Sequence, residues 1–385
     1  MSTESEQESL SRNRWGLGVK LLSHDRVRLL VSWAGIAVAV AIMFVQQGLL
    51  WGILDSQSLA ASLVRGDLVV MNRVRTNLHS WNSFEPIRLF EISGSPYVES
   101  VVPVYEGVMN LRDHDSHALR RIVAFAFPPH DVPFSIGDPD HMAQALRQPN
   151  AVLFDRRSRN IYGSVLPGQE IELDGVDFRV AGYVDFGADI INDGTVFMSD
   201  GTWHSINPDD IPIMGVVRLK PGSDLAQARR DIEARVPADV TVNTPEEIRQ
   251  REVDFTLRSA PIGILFGIGV LAGLVIGAIT CYQTLFNEII DRLPQYATLR
   301  AIGFSDKYLQ RVIYEQSAFL AVGGFLMGLV FALCANAYIS DETALTIRLG
   351  AGSIVGTFLL TAAMSLFSGG IAMRLLASAR PDELY

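Results

Sequence analysis

Three short clusters in this 385-residue chain carry side chains able to do chemistry. Asp113, His114, Asp115 and His117 place two carboxylates and two imidazoles within five residues, a donor set that can ligate a divalent metal. The same residues suit the polar tip of a hairpin between strands predicted over 98–111 and 120–127, and this is the preferred reading. Asp138, Asp140 and His141 read as the capped start of a helix. Arg156, Arg157 and Arg159 form a basic run that reads as a solvated edge rather than an anion site. No G-x-S-x-G elbow, H-E-x-x-H, C-x-x-C or phosphate-binding G-x-x-x-x-G-K-[ST] loop occurs. Two cysteines, Cys281 and Cys334, are too few for a four-ligand structural zinc site. The chain is read as non-enzymatic, without a metal or cofactor of its own; any ATP it depends on is bound by another chain.

A different kind of site lies in the 287–316 loop. Pro294 can occupy the first turn of a helix and Gly303 can end it. Between them Tyr296, Leu299 and Ile302, with Leu293 just before, fall along one side, flanked by Gln295 and by Arg292 and Arg300. A short helix with an apolar stripe and basic ends can dock into a partner's groove or pack on a membrane surface. Spacing alone leaves both open.

The elements that position this loop are four apolar segments without a charged side chain, at 29–53, 259–286, 317–339 and 349–373. A bilayer core about 30 Å thick needs roughly 20 apolar residues as helix, and all four reach that length. The expected fold is therefore an α-helical membrane protein with four transmembrane helices, one before and three after a large inserted domain at 54–258. The remaining parts are a 1–28 leader, the 287–316 loop, a short 340–348 loop and a 374–385 tail. Within the leader, Trp15, Val19 and Leu22 share one side of a helix over 14–23, either interfacial or an extension of the first span.

The insert holds 20 Lys+Arg against 30 Asp+Glu and so carries the whole net charge of −10. That excess argues against nucleic acid as a partner. Ten Lys or Arg flank the spans on the side of the termini and five on the other, which favours both termini inside and the insert outside. The insert reads as mixed α/β, with strands at 67–71, 98–111, 120–127, 151–155, 170–173, 178–185, 195–198 and 216–220. Helices are expected at 85–92, 141–147 and 224–235. The first span is expected to continue outward to about Val64, and a helix opening at Pro245 to run unbroken into the second span, giving two helical stalks. Gly269, Gly273 and Gly277, then Gly324 and Gly328, then Gly352 and Gly356 mark faces for close helix packing. The uncharged spans argue against an ion-coupled pore.

The run from Asp291 to Phe304, DRLPQYATLRAIGF, resembles the loop after the second span in DevC-type permeases, of the MacB/FtsX class of ABC exporters. The first-span entry from Arg26 to Ala37, the Lys220-Pro-Gly-Ser-Asp224 turn and Ala260-Pro-Ile-Gly263 are similar to that family too. Gln295 stands where the family commonly has Glu. The resemblance implies a bacterial inner-membrane permease working as a dimer. A separate ATPase subunit, holding ATP and magnesium, would bind the 291–304 coupling helix, and a periplasmic adaptor and a TolC-like duct would complete an exporter of lipid-like or glycolipid cargo. An FtsX-like signalling protein that regulates a periplasmic hydrolase, or a lipoprotein-releasing permease, is the alternative within the class.

Overall fold

The computed structural model describes residues 17–75, 82–112, 117–189, 192–259, 261–292, 294, 298, 302, 306–343 and 347–378. In chain order the helices are α1 (Leu17–His24), α2 (Arg26–Gln57), α3 (Leu59–Ser62), α4 (Ile87–Ser93), α5 (Pro139–Leu146), α6 (Asp200–Ile206), α7 (Leu225–Arg235), α8 (Pro245–Ser259), α9 (Ile262–Asp291), α10 (Asp306–Thr343) and α11 (Ala351–Ser378). Two compact units form.

The helical unit contains α1, α2 up to Leu50, α9 from Gly263, α10 up to Ile339, and α11. α2, α9, α10 and α11 are each long and apolar enough to cross a membrane. In hydrocarbon every backbone N–H and C=O must be satisfied within the segment, which a continuous helix does. Ile36, Val40 and Phe44, one turn apart on α2, are fully buried against Cys281, Leu285, Leu320 and Phe325. The Phe44 and Phe325 rings lie 5.8 Å apart.

Three boundaries differ from expectation. α2 stops at Gln57 and a separate short α3 follows after a turn at Ser58, whose hydroxyl bonds back to the Leu54 carbonyl at 3.0 Å. α8 does not run unbroken into the second apolar helix. It ends at Ser259, and Pro261, which has no N–H to donate, sits in a turn before α9 begins at Ile262. α10 runs on to Thr343 and takes in residues expected in the 340–348 loop.

The second unit spans 51–262 with 340–346. It is mixed α/β and, among the described residues, has nine strands: β1 (Leu68–Asn72), β2 (Val98–Arg112), β3 (Leu119–Phe127), β4 (Ala151–Asp155), β5 (Glu170–Leu173), β6 (Val176–Val184), β7 (Thr195–Ser199), β8 (Met214–Leu219) and β9 (Val240–Asn243). The fifteen-residue β2 is shared by two sheets. Its first half pairs with β8, which continues through β1 to β9. Its second half pairs with both β3 and β5, so the order β3-β7-β4-β6-β5-β2 returns to β3 and closes on itself. Closure leaves no free edge there. One long strand thus serves both parts of the domain. Alternate residues of β2 point to opposite faces: Val102 and Val104 enter a core with Phe125, Phe127, Phe134 and Phe197, whereas Tyr105, Met109 and Leu111 enter another with Phe154, Phe178 and Trp203.

Candidate functional site

At the end of α9, next to the 291–304 run, Glu288 is only 3% exposed. A buried carboxylate is costly unless paired, and Glu288 has two guanidinium partners, Arg292 one turn on and Arg28 at 3.7 Å from the first turn of α2. Arg28 also bonds Asp291. The start of α2 is thereby pinned to the end of α9. α1 closes on the same region: a Cβ on Gly18 would stand 2.7 Å from the Val312 carbonyl of α10, so the backbones touch.

Of the predicted docking residues, Pro294 and Ile302 are described. Pro294 and Thr298 are helical; the Thr298 hydroxyl donates to the Pro294 carbonyl and the Ile302 N–H to the Thr298 carbonyl at 3.1 Å. Ile302 is exposed. Leu293, Gln295, Tyr296, Leu299, Arg300 and Gly303 lie outside the described residues.

The glycines divide into two groups. A Cβ on Gly269 would meet Gln46 at 2.5 Å, on Gly273 Met43 at 2.8 Å, on Gly277 Met364 at 2.7 Å, on Gly324 Ile36 at 2.4 Å and on Gly328 Val40 at 2.7 Å. Absence of a side chain lets α2 sit in grooves of α9 and α10. Gly352 and Gly356 meet nothing within 4 Å among the described residues. Three successive residues of α2 also make a polar layer that the sequence did not single out as a unit. Gln46 covers Gly269 of α9, Gln47 donates to the Thr357 hydroxyl of α11 at 2.9 Å, and Gly48 faces the Asn336 amide of α10. Asn336 is 4% exposed, and its amide finds no hydrogen-bond partner among the described residues.

In the α/β unit the densest electrostatics surround Arg75. Its guanidinium is fully buried, 3.3 Å from the Glu106 carboxylate of β2, and donates to the Ile213 carbonyl at 3.4 Å. Glu252 of α8, 1% exposed, acts on the same guanidinium through its charge. Two carboxylates thus face one buried arginine, with Asp189 near Glu106 as a further negative charge. Burial pushes the Glu106 carboxyl up to about 7, against the pull of Arg75. Asp155, fully buried at the end of β4, accepts backbone N–H bonds from Phe186, Gly187 and Arg157 at 2.9, 2.8 and 3.1 Å and fixes the loop after β6.

Of the other clusters, Asp138 caps α5 by accepting from the Asp140 N–H at 3.2 Å, as expected. Asp113, His114 and Asp115 lie outside the described residues. Among the described residues no group of three His, Cys, Asp or Glu is placed to hold a metal ion. Arg156 lies over the Tyr183 ring at 5.4 Å. Arg159, expected on a solvated edge, is instead only 26% exposed and bonded to Asp193, to the Asp189 carbonyl and to the Thr343 carbonyl.

These features define a multi-pass membrane protein in which a large α/β domain is inserted after the first of four apolar helices. The profile of the MacB-like periplasmic core domain matches residues 29–235, and that of the FtsX-like permease C-terminal matches residues 254–381. The chain belongs to the MacB/FtsX-like family of ABC transporter permeases. Membership implies an inner-membrane location, association with an ABC ATPase subunit, and dimerisation. Among solved structures, the periplasmic region of MacB from Actinobacillus actinomycetemcomitans is similar at 14% identity and TM-score 0.36, over 49% of this chain and 92% of that one. The extracellular domain of the noncanonic ABC-type transporter YknZ from Gram-positive bacteria is similar at 13% and 0.32, over 46% and 98%. A domain of a permease protein from Porphyromonas gingivalis is similar at 15% and 0.33, over 47% and 89%. These likenesses are too loose to carry an argument, and the family rests on the two profiles. No curated protein matches.

Proposed function

We propose that this chain transmits the ATP-driven motion of a separate ATPase subunit to its α/β domain, as one half of a homodimeric DevC-type exporter permease. The supporting observation is α2: one helix from Arg26 to Gln57, whose residues up to Leu50 belong to the helical unit and whose residues from Trp51 belong to the α/β unit. The inner end of this helix is pinned to α9 through Glu288 and Asp291, and its helical run continues to Gln57. On this reading the four apolar helices span the membrane in a 1+3 order with both termini cytoplasmic, in line with the ten-against-five flank of Lys and Arg. The α/β domain is periplasmic, ATP and magnesium belong to the ATPase, and a periplasmic adaptor and TolC-like channel receive a lipid-like or glycolipid cargo.

The 291–304 segment is the ATPase-coupling helix. Its test is co-purification of the full chain with its ATPase subunit. Tyr296→Asp or Leu299→Asp abolishes the association while membrane insertion is kept; an unchanged pull-down refutes the assignment. A periplasmic hydrolase captured in place of an adaptor turns the reading toward FtsX-like signalling.

A further inference from the structure

We propose that Arg159 ties the outer end of α10 to the α/β domain, making the third apolar helix a line of transmission beside α2; its mechanical role rests on the permease reading. The sequence gives no hint of this, because the apolar segment ends at Ile339 and the following residues read as a loop. α10 nevertheless continues to Thr343, and Ser340–Thr343 cluster with the α/β unit rather than with the helices.

The last carbonyls of a helix have no partner within it, and that end carries partial negative charge. A guanidinium answers both needs. Arg159 Nε donates to the Thr343 carbonyl at 3.1 Å, Nη2 to the Asp189 carbonyl at 3.1 Å, and Nη1 to the Asp193 carboxylate. Three donors of one rigid plane therefore meet acceptors on two separate stretches of chain, which a lysine ammonium on its flexible stem does not reproduce.

The parts that hold Arg159 are themselves fixed. The Arg159 N–H donates to the Asp193 carbonyl at 2.8 Å. The Asp189 carboxylate accepts from the Asn192 N–H at 2.7 Å and from its side-chain amide at 3.1 Å. Arg159 leads into a single 3₁₀ turn, Asn160–Tyr162, and the Tyr162 hydroxyl anchors it on the Arg121 carbonyl of β3 at 2.6 Å. The end of α2 meets the same stretch: Gln57, 6% exposed, lines with Asp189, Asn192 and Thr195 a cavity of about 10 Å³. One braced loop thus gathers the ends of α2 and α10. Arg159 is a positioning residue, acting through the helix end it holds.

The test is amide hydrogen exchange on the full chain in nanodiscs with its ATPase subunit. In Arg159→Ala, residues 340–343 exchange about tenfold or more faster, as expected for loss of a charge-assisted bond, while the start of α11 is unchanged. Arg159→Lys falls between. Asp193→Asn, which loosens the brace without touching the helix, gives a smaller acceleration and serves if Arg159→Ala fails to assemble. Unchanged exchange at 340–343 in both variants overturns the tie. Trapping with ATP and vanadate then tests transmission: wild type changes its exchange at 186–195, and Arg159→Ala loses at least half of that change while still binding the ATPase. A full response in Arg159→Ala overturns the role in transmission. Failure of the wild type to bind an ATPase at all overturns the permease reading, whereas the tie is judged on the 340–343 exchange alone.

Discussion

Glu106→Gln is the substitution whose effect follows most directly from the buried charge cluster. In the fold the Glu106 carboxyl titrates near 7 instead of its ordinary 4.5, because burial disfavours the charge more than Arg75 restores it. The fold therefore favours the protonated carboxyl. Its contribution to stability is fully present below about pH 4.5, falls as the unfolded chain ionises first, and is gone above about pH 7. Each pH unit in that interval is worth about 1.36 kcal/mol, so roughly 3 kcal/mol is lost across it. A glutamine is neutral at every pH and still offers Arg75 an oxygen, so it does not suffer this loss. The expected result is that wild type and Glu106→Gln have nearly the same stability at pH 4, and that the variant is more stable by roughly 3 kcal/mol at pH 8. Pulse proteolysis in urea on the full chain in nanodiscs measures the α/β domain without requiring it to fold alone. Parallel pH profiles for the two proteins refute the reasoning, as does a variant that loses stability at pH 8.

Gly328→Leu forces a side chain into Val40 of α2, 2.7 Å from where its Cβ would stand. It lowers stability by about 1–3 kcal/mol, whereas Gly356→Leu, with nothing within 4 Å among the described residues, leaves folding unchanged; thermal unfolding in detergent separates the two. Asn336→Leu removes a buried amide that has no hydrogen-bond partner among the described residues and raises stability by about 1 kcal/mol. A loss of stability in the same unfolding assay means that the amide is bonded in the bilayer.

The four apolar helices were legible because their signal is additive over twenty or more residues and needs no partner to be read. Eight strands were legible from runs of Val, Ile and Phe between turn formers. β9 was not: Val240–Asn243 is four residues long and closes the edge of β1, a pairing 170 positions away in sequence. α6 was missed because Ser199-Asp200-Gly201 reads as a turn, while in the fold Ser199 caps a helix by accepting from the Thr202 N–H. Helix ends were the least legible feature. Pro261 announces a break that the apolar run conceals, and the polar Ser340–Thr343 continue a helix whose end is received by an arginine 184 positions earlier. The Arg75, Glu106 and Glu252 cluster has no local pattern; its members are brought together only by the pairing of β1, β8 and β2 and by the course of α8. Sequence spacing marked the 291–304 segment as a docking helix or a surface helix, and the DevC resemblance tipped that choice.

The central claim is that motion inside the membrane reaches the α/β domain. The most direct measurement is the distance between spin labels on the α/β domains of the two copies in a reconstituted complex, with and without ATP and vanadate, read by pulsed electron resonance. The account predicts a shift in that distance on trapping, abolished by Leu299→Asp. An unchanged distance in a complex whose ATPase is demonstrably trapped contradicts it.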